Sequence, residues 1–439
     1  MRLSGWGGLA AALIFMSMGV AGARAASAPC PLSVDEVEVA LDGQYRRLME
    51  SRGAPATDYM SNARDGIDDY LSYRQRPDDD GARLLLIYVT AGDVACVLPR
   101  SSRDRDELAG YLLPEPVPTL MGDIDRLLGA VQRPFAGRSG TLPTLRAGQS
   151  RGPTPAGGEV TPPLEVARRA VARQLFPPEI VARLAEASAL YVVPAVNIGT
   201  VPFALLDPDE DGVPLLDAMS ITIAPSLNDV AAASVLVMGA ITGRVSVVGD
   251  PDATADPDWD FPRLPAARRE AEAVAHRFGT LPVLGSDATV AQALAVMREA
   301  EYIHIAAHGF SDALAPLDGS FLAFTGGRLT ARQIQDVPVA PYAIAVLSAC
   351  QTGLGGIHEA GIIGLARAFL IAGSSAVVAS LWNVDDEATA HMMTVFADLL
   401  GPNDPAEALR RAQLETRRKW PDPAQWGSFI TFGHRIVVE

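Results

Sequence analysis

The sequence predicts an α/β protein: a mostly parallel sheet with helices on both faces, preceded by a smaller, mainly helical region that carries a β-hairpin. Three observations carry this. Beyond residue 163, short apolar runs alternate with segments of helical period, the pattern of strand–helix–strand units. Two of the runs, Tyr302–Gly309 and Ile344–Cys350, are nearly continuous apolar stretches of the kind buried on both faces of a parallel sheet. Before residue 133 the spacing is helical apart from one hairpin-like pair of runs.

A length of 439 residues leaves room for two or three domains and a large core, and 49% hydrophobic with 20% charged residues is a globular composition. The formal net charge of −16 is opposite to what a nucleic-acid-binding surface needs. Lys419 is the single lysine, and it is followed by Trp420, so no Gly-Lys-Ser/Thr phosphate loop can be written.

The elements follow in order. Residues 1–25 read as an export signal: Arg2 supplies the positive start, Leu9 to Val20 the apolar run, and Ala23-Arg24-Ala25 a cleavage site. The run is short for a membrane span, although an uncleaved anchor is the competing reading. The expected location is the bacterial periplasm or the exterior, with a mature chain from Ala26 and no stable membrane span. In such an oxidising compartment three cysteines leave one over, and the expected bridge is Cys30–Cys96, which keeps Cys350 free. Region 26–132 opens with a helix at Val34–Arg52, whose Val37, Leu41, Tyr45 and Leu48 share a face. A hairpin turns at Ala91-Gly92 between Arg83–Thr90 and Asp93–Leu98. Helices are expected at Asp106–Leu113 and Thr119–Val131. Residues 133–163, rich in Gly, Pro, Ser and Thr, read as a linker or exposed loop.

From residue 164 to 439 the alternation sets in. Strands are expected at Leu190–Pro194, Arg244–Gly249, around Tyr302, around Ile344, and at Ala376–Leu381. Helices are expected at Ala266–Phe278, Thr289–Glu299 (capped by Asp287 or Thr289), Ile362–Ala372, Glu387–Leu400 and Pro405–Arg418. In open parallel sheets ligands bind at the carboxyl ends of strands. Two chemically active side chains, His308 and Cys350, stand at such ends.

A thiol and an imidazole brought together at one sheet edge are the parts of a cysteine nucleophile with its acid/base partner. Small residues flank both, and the backbone amides of Gly309 and Cys350 are candidate donors to a developing oxyanion. Taken singly, a buried core cysteine and a satisfied loop histidine are the simpler readings. His304, four residues before His308, can share its face, but a packed structural histidine is favoured over a metal pair. Asp207-x-Asp209-x-Asp211-Gly212 copies the first half of a calcium loop, yet Ala218 stands where a bidentate Glu is required, so a solvated turn is favoured over calcium. His358-Glu359 lacks the second histidine of a zincin, and Gly353-x-Gly355-Gly356 is not a dinucleotide fingerprint. No metal ligand set and no cofactor are expected.

The chain from about Pro162 resembles the CHAT domain, the caspase-like module related to separase and other caspase-fold peptidases. The resemblance rests on His304-Ile305-Ala306-Ala307-His308-Gly309, Leu347-Ser348-Ala349-Cys350-Gln351-Thr352-Gly353 and Gly364-Leu365-Ala366-Arg367-Ala368-Phe369. It continues through Ser380-Leu381-Trp382-Asn383-Val384-Asp385-Asp386 and Trp426-Gly427-Ser428-Phe429, and upstream through Val201-Pro202-Phe203-Ala204-Leu205-Leu206 and Ala224-Pro225-Ser226-Leu227. It implies a caspase-like fold and a His308/Cys350 dyad in a cysteine endopeptidase. Departures are Gln351, where many members carry Glu, the absence of visible amino-terminal repeats, and Ser348, where some caspase-fold peptidases place an acid that reads a basic side chain. Asp312, Ser348, Trp382 and Asp385 are the candidate substrate contacts, with helix capping the competing role for Asp385 and Asp386. Expected partners are a protein or peptide substrate and an activating protein, not nucleic acid. The competing function is a catalytically silent or partner-activated regulatory module of the same fold.

Overall fold

A computed structural model describes residues 26–50, 83–101, 110–132, 144–145, 163–224, 237–238, 241, 243–312, 315–351, 359–382, 385–401, 404–433 and 437–438. The export signal (1–25), most of the 133–163 stretch, the Gly353–Gly356 turn, His358 and Asn383 lie outside them, and Cys350 is described by its backbone.

Along the amino-terminal part run β1 (Arg83–Ala91), β2 (Val94–Ser101), β3 (Tyr111–Leu112), β4 (Thr144–Leu145), β5 (Ala189–Val193), β6 (Ser220–Ile223) and β7 (Val237–Met238). Then come β8 (Arg244–Gly249), β9 (Trp259–Asp260), β10 (Val283–Leu284), β11 (Ala300–Phe310), β12 (Phe321–Phe324) and β13 (Gly327–Thr330). Last are β14 (Ala343–Gln351), β15 (Ser374–Ser380), β16 (Phe429–Gly433) and β17 (Val437–Val438). Thirteen of them form one sheet in the order β10-β8-β11-β14-β15-β16-β6-β5-β1-β2-β3, with β12 and β13 branching from the end of β11. Pairing is parallel from β10 to β15 and from β16 to β1, and antiparallel at β15–β16 and along β1–β2–β3.

The hairpin therefore does not stand apart: β1 pairs with β5 from Arg83↔Ala189 to Ile87↔Val193, so region 26–132 and the later region share one sheet. Gly92 turns it with φ +58, the left-handed conformation such a turn requires. The helix expected at Asp106–Leu113 is replaced at its end by β3. Here Cys30 is bonded to Cys96 with a Cα separation of 5.7 Å, and the Cys30 amide donates to Gly110 O. Cys96 faces Leu112 across the ladder, so β2 takes up the segment as a strand.

The long strands are dry on both faces. In β11 every residue from Tyr302 to Gly309 is buried, as are all seven of β15, which is why both read as unbroken runs. Helices over Pro265–Arg277, Asp386–Leu399 and Pro405–Lys419, together with Glu359–Ala372, pack around the sheet. The Val290–Met297 helix takes Thr289 as its cap, its hydroxyl accepting from the Gln292 amide. No described helix is long and apolar enough to cross a membrane.

Candidate active site

The two reactive positions are brought side by side by register. β11 and β14 run parallel from Tyr302↔Ile344, and the pairing places His308 opposite Cys350 and Gly309 opposite Gln351. Both lie at the carboxyl ends of their strands. Gly309 is also paired on its other side with Leu322 of β12.

His308 is buried at 4% exposure and held by a strap, residues 250–264, that follows β8. Its Nε2 lies 2.7 Å from the Pro262 carbonyl oxygen, and the Phe261 ring stacks on it at 5.2 Å between centroids. A carbonyl can only accept, so Nε2 carries the proton and Nδ1 keeps its lone pair. Nδ1 is buried and has no hydrogen-bond partner among the described residues. Burial holds the His308 pKa below the ordinary histidine value, against smaller upward pulls from the Pro262 carbonyl and the Asp250 charge. The result is a neutral imidazole whose Nδ1 has no partner among the described residues, on a strand position opposite Cys350 in register.

Asp250 organises the strap. It is buried, sits in the left-handed region at φ +45, and its own amide donates to Ala306 O of β11. Its carboxylate accepts from Arg263 Nε at 3.1 Å and Nη2 at 2.5 Å, from the Leu264 amide at 3.2 Å and from Arg268 Nε at 3.2 Å. Clamping Arg263 and Leu264, the two residues directly after Pro262, fixes the carbonyl that holds His308. A non-glycine residue held in the left-handed region at a strand end is a feature that clusters in functional loops. Neither Asp250 nor Pro262 was among the sequence candidates: Asp250 shares the strand-end position of His308 and Cys350, whereas Pro262 contributes only its backbone.

Below His308 on the same face of β11 lies a second polar chain. Tyr302 donates its hydroxyl to His304 Nδ1 at 3.2 Å, and His304 Nε2 donates to Glu270 Oε1 of the Pro265 helix at 2.6 Å, all three buried. Asp386 accepts from the Ala266 amide at 3.0 Å and so caps that helix from outside. Its pKa is raised from 3.8 to about 6, first by burial and then by Glu270 and Glu387. Gly249 lets the helix in: a Cβ there would stand 2.4 Å from Ala271 Cβ. His304 is thus a structural residue, and no group of metal-ligating side chains occurs among the described residues.

The remaining candidates separate. Ser348 lies opposite Ala306, two residues before Cys350, and is buried with no hydrogen-bond partner for its hydroxyl among the described residues. Asp312 shapes the turn after β11, its carboxylate accepting from the Ala315 amide and its amide donating to Ser320 Oγ. Trp382 is a core strut rather than a wall open to substrate: it is 1% exposed and its indole N–H donates to Ala424 O at 2.9 Å. Asp385 is spent on capping, accepting from the Ala388 amide at 3.1 Å. Asp207 Oδ2 accepts from the Gly212 amide at 2.9 Å and lies 3.7 Å from Arg168 Nη2.

Residues 165–434 match the CHAT domain family. Human tetratricopeptide repeat protein 28 is 25% identical over 289 residues, covering 54% of this chain, and the chain spans 12% of that protein's length. The mouse protein of the same name is 24% identical over the same length. The separase of a Saccharomyces cerevisiae separase–securin complex superposes with a TM-score of 0.53 at 11% identity, covering 87% of this chain and 31% of that one. The shared feature there is the fold.

Proposed function

We propose that this chain, which belongs to the CHAT domain family and has a caspase-like fold, is an exported cysteine endopeptidase. The observation that carries the reading is His308, neutral, held through Nε2 by Pro262, with Nδ1 left over and Cys350 directly opposite in register. In the proposed cycle the Cys350 thiol gives its proton to Nδ1 and the sulfur attacks the scissile carbonyl. The amides of Gly309 and Cys350 receive the oxyanion, and Nδ1–H protonates the leaving amine as the carbon–nitrogen bond breaks. Water, deprotonated by Nδ1, then releases the acyl product from sulfur. No metal or organic cofactor takes part.

The test is cleavage of a peptide library by the mature chain, with and without reductant, calcium and candidate activating proteins. Cys350→Ala is expected to abolish turnover with an unchanged melting temperature, and an electrophilic peptide probe is expected to label Cys350 in the parent. Equal turnover in the variant overturns the reading. Export predicts that protein recovered from the periplasm or medium begins at Ala26, which amino-terminal sequencing reads directly.

A further inference from the structure

At the start of the described chain a carboxylate takes hold of the backbone. The Ser27 amide donates to Glu179 Oε1 at 2.9 Å, across 152 positions of sequence, and Glu179 Oε2 is buried without a hydrogen-bond partner among the described residues. The anchoring continues downstream. The Leu112 amide donates to Ala28 O at 3.0 Å, the Cys30 amide donates to Gly110 O at 2.9 Å, and Pro29 bridges to Tyr111 in antiparallel sense. The Cys30–Cys96 bond closes that edge. Gly110 permits the approach, since a Cβ there would stand 2.9 Å from Cys30 Cβ. Burial raises the Glu179 pKa, but bonds from the Ser27 and Glu179 amides and from the Ser27 side chain outweigh it, so the carboxyl stays below the ordinary glutamate range. Ala26 and Ser27 form one wall of a cleft that Glu115, Arg173, Asp209 and Glu210 also line. Arg173 is engaged by Glu210 at 2.8 and 2.7 Å, so the cleft is acidic on balance.

A buried carboxylate oxygen without a donor is costly, and a charge-assisted hydrogen bond offsets that cost. We propose that Glu179 is a capture site for the α-ammonium group of Ala26, created by signal cleavage after Ala25: the ammonium takes Oε2 while the Ser27 amide keeps Oε1. Capture of a terminal amine by preset polar groups is an established mode of recognition. The reach is short. Consecutive residues are about 3.8 Å apart along the chain, so the Ala26 nitrogen lies within about 7 Å of Oε1. Rotation about Ala26 ψ swings that nitrogen toward Oε2 without moving the Ser27 amide. In the uncut chain the same nitrogen is a neutral amide and the ion pair does not form, so cleavage turns a passing segment into an anchored end. Ala26 as the terminus rests on the export reading; the attraction of Glu179 for an amine placed there does not.

Lys419 is the single lysine, so amine chemistry on the mature chain reaches two groups, Lys419 Nζ and the α-amine. A chain released from a fusion so that it begins at Ala26 is methylated with 13C-formaldehyde. Its two methyl signals are then titrated by NMR in the parent and in Glu179→Gln, which keeps an oxygen for the Ser27 amide. In the parent the α-amine is expected to bind its proton about tenfold more tightly than an ordinary α-amine, whose pKa is about 8. The variant is expected to return it to that value, with the Lys419 signal unmoved. Acetylating Ala26 removes the charge without touching Glu179. The folded pKa of the amine lies above its unfolded value, so its stabilisation is present below about pH 8 and is lost as pH rises through the folded value. The acetylated chain is therefore expected to melt below the parent at pH 7 and level with it near pH 10.5, and acetylation is expected to leave the melting of the Gln variant unchanged. An α-amine of ordinary proton affinity, one raised equally in the Gln variant, or equal melting of acetylated and free parent at pH 7 overturns the proposal. A raised, Glu179-dependent amine in a protein that begins elsewhere when recovered from cells keeps the carboxylate site and removes the export reading.

Discussion

A neutral imidazole can be held by one nitrogen and left reactive at the other, and the strap imposes that division on His308. Because burial depresses its pKa, the basic form persists into mildly acidic solution, so the acid limb of kcat/KM is expected to fall below pH 6.5 in a pH–rate profile. A limb above that value would contradict the buried, carbonyl-bonded state. Asp250 enters twice, as the clamp on the strap and as a charge that pulls the His308 pKa upward. Asn tolerates a left-handed backbone, so Asp250→Asn removes the charge without new strain. It is expected to lower kcat about tenfold or more, through a loosened Pro262 carbonyl, and to move the acid limb to lower pH. A purely structural Asp250 would lower the amount of folded enzyme and leave the limb in place. His308 and Cys350 were legible because each ends an apolar run at a strand's carboxyl end. Pro262 was not, because a carbonyl contact across 46 residues leaves no mark in local pattern.

At the scale of elements, the Pro265–Arg277 helix is the part that transmits order to the site, since the strap leads straight into it. It is fixed by Glu270 to His304, by Asp386 at its amino-terminal end, and by the close approach over Gly249. Asp386 does this at a cost. Its carboxyl has a folded pKa of about 6, above the unfolded 3.8. Its contribution is therefore fully present below pH 3.8 and is lost as pH rises through 6, where the charge forms beside Glu270 and Glu387. Asp386→Asn keeps an oxygen for the Ala266 amide and removes that charge. Relative to the parent, its unfolding free energy is expected to be similar near pH 4 and to be higher toward pH 8, by on the order of 1–2 kcal/mol after screening of a partly exposed group. A flat difference across that range would reject the assignment. Most of these elements followed from period and caps, as with Thr289. Others did not, and among them β3 and β4 are two-residue strands whose conformation comes from partners distant in sequence, Cys96 with Val97 and Trp259 with Asp260.

Over the whole molecule, the sheet decides what can be separated from what. Strands β11 and β14, which carry His308 and Cys350, are divided from the Cys30–Cys96 edge by β15, β16, β6, β5 and β1. Reductant that keeps Cys350 a thiol should thus open the disulfide without disturbing the site. Cys30→Ser/Cys96→Ser is expected to keep the parent's kcat/KM in reductant, while opening a 66-residue separation costs about 4 kcal/mol, seen as a lower denaturant midpoint. Strand pairing between β1 and β5 joins the segments on either side of the composition shift at 133–163 in one sheet. Residues 165–434, which carry the family match, accordingly leave out three strands of their own sheet. Removing residues 26–132 would strip β1 from β5 and bare Leu190 and Val192, both buried in the intact chain, along an unpaired edge. It would also take away Tyr88, whose buried hydroxyl donates to Leu175 O at the end of the helix Leu164–Leu175. Long apolar edges of this kind pair with one another between molecules. A chain starting at residue 133 is therefore expected to be recovered mainly as aggregate, whereas one starting at Ala26 elutes as a discrete species in size-exclusion chromatography. A soluble, cooperatively melting fragment from residue 133 would show instead that the β5 edge can close without the hairpin.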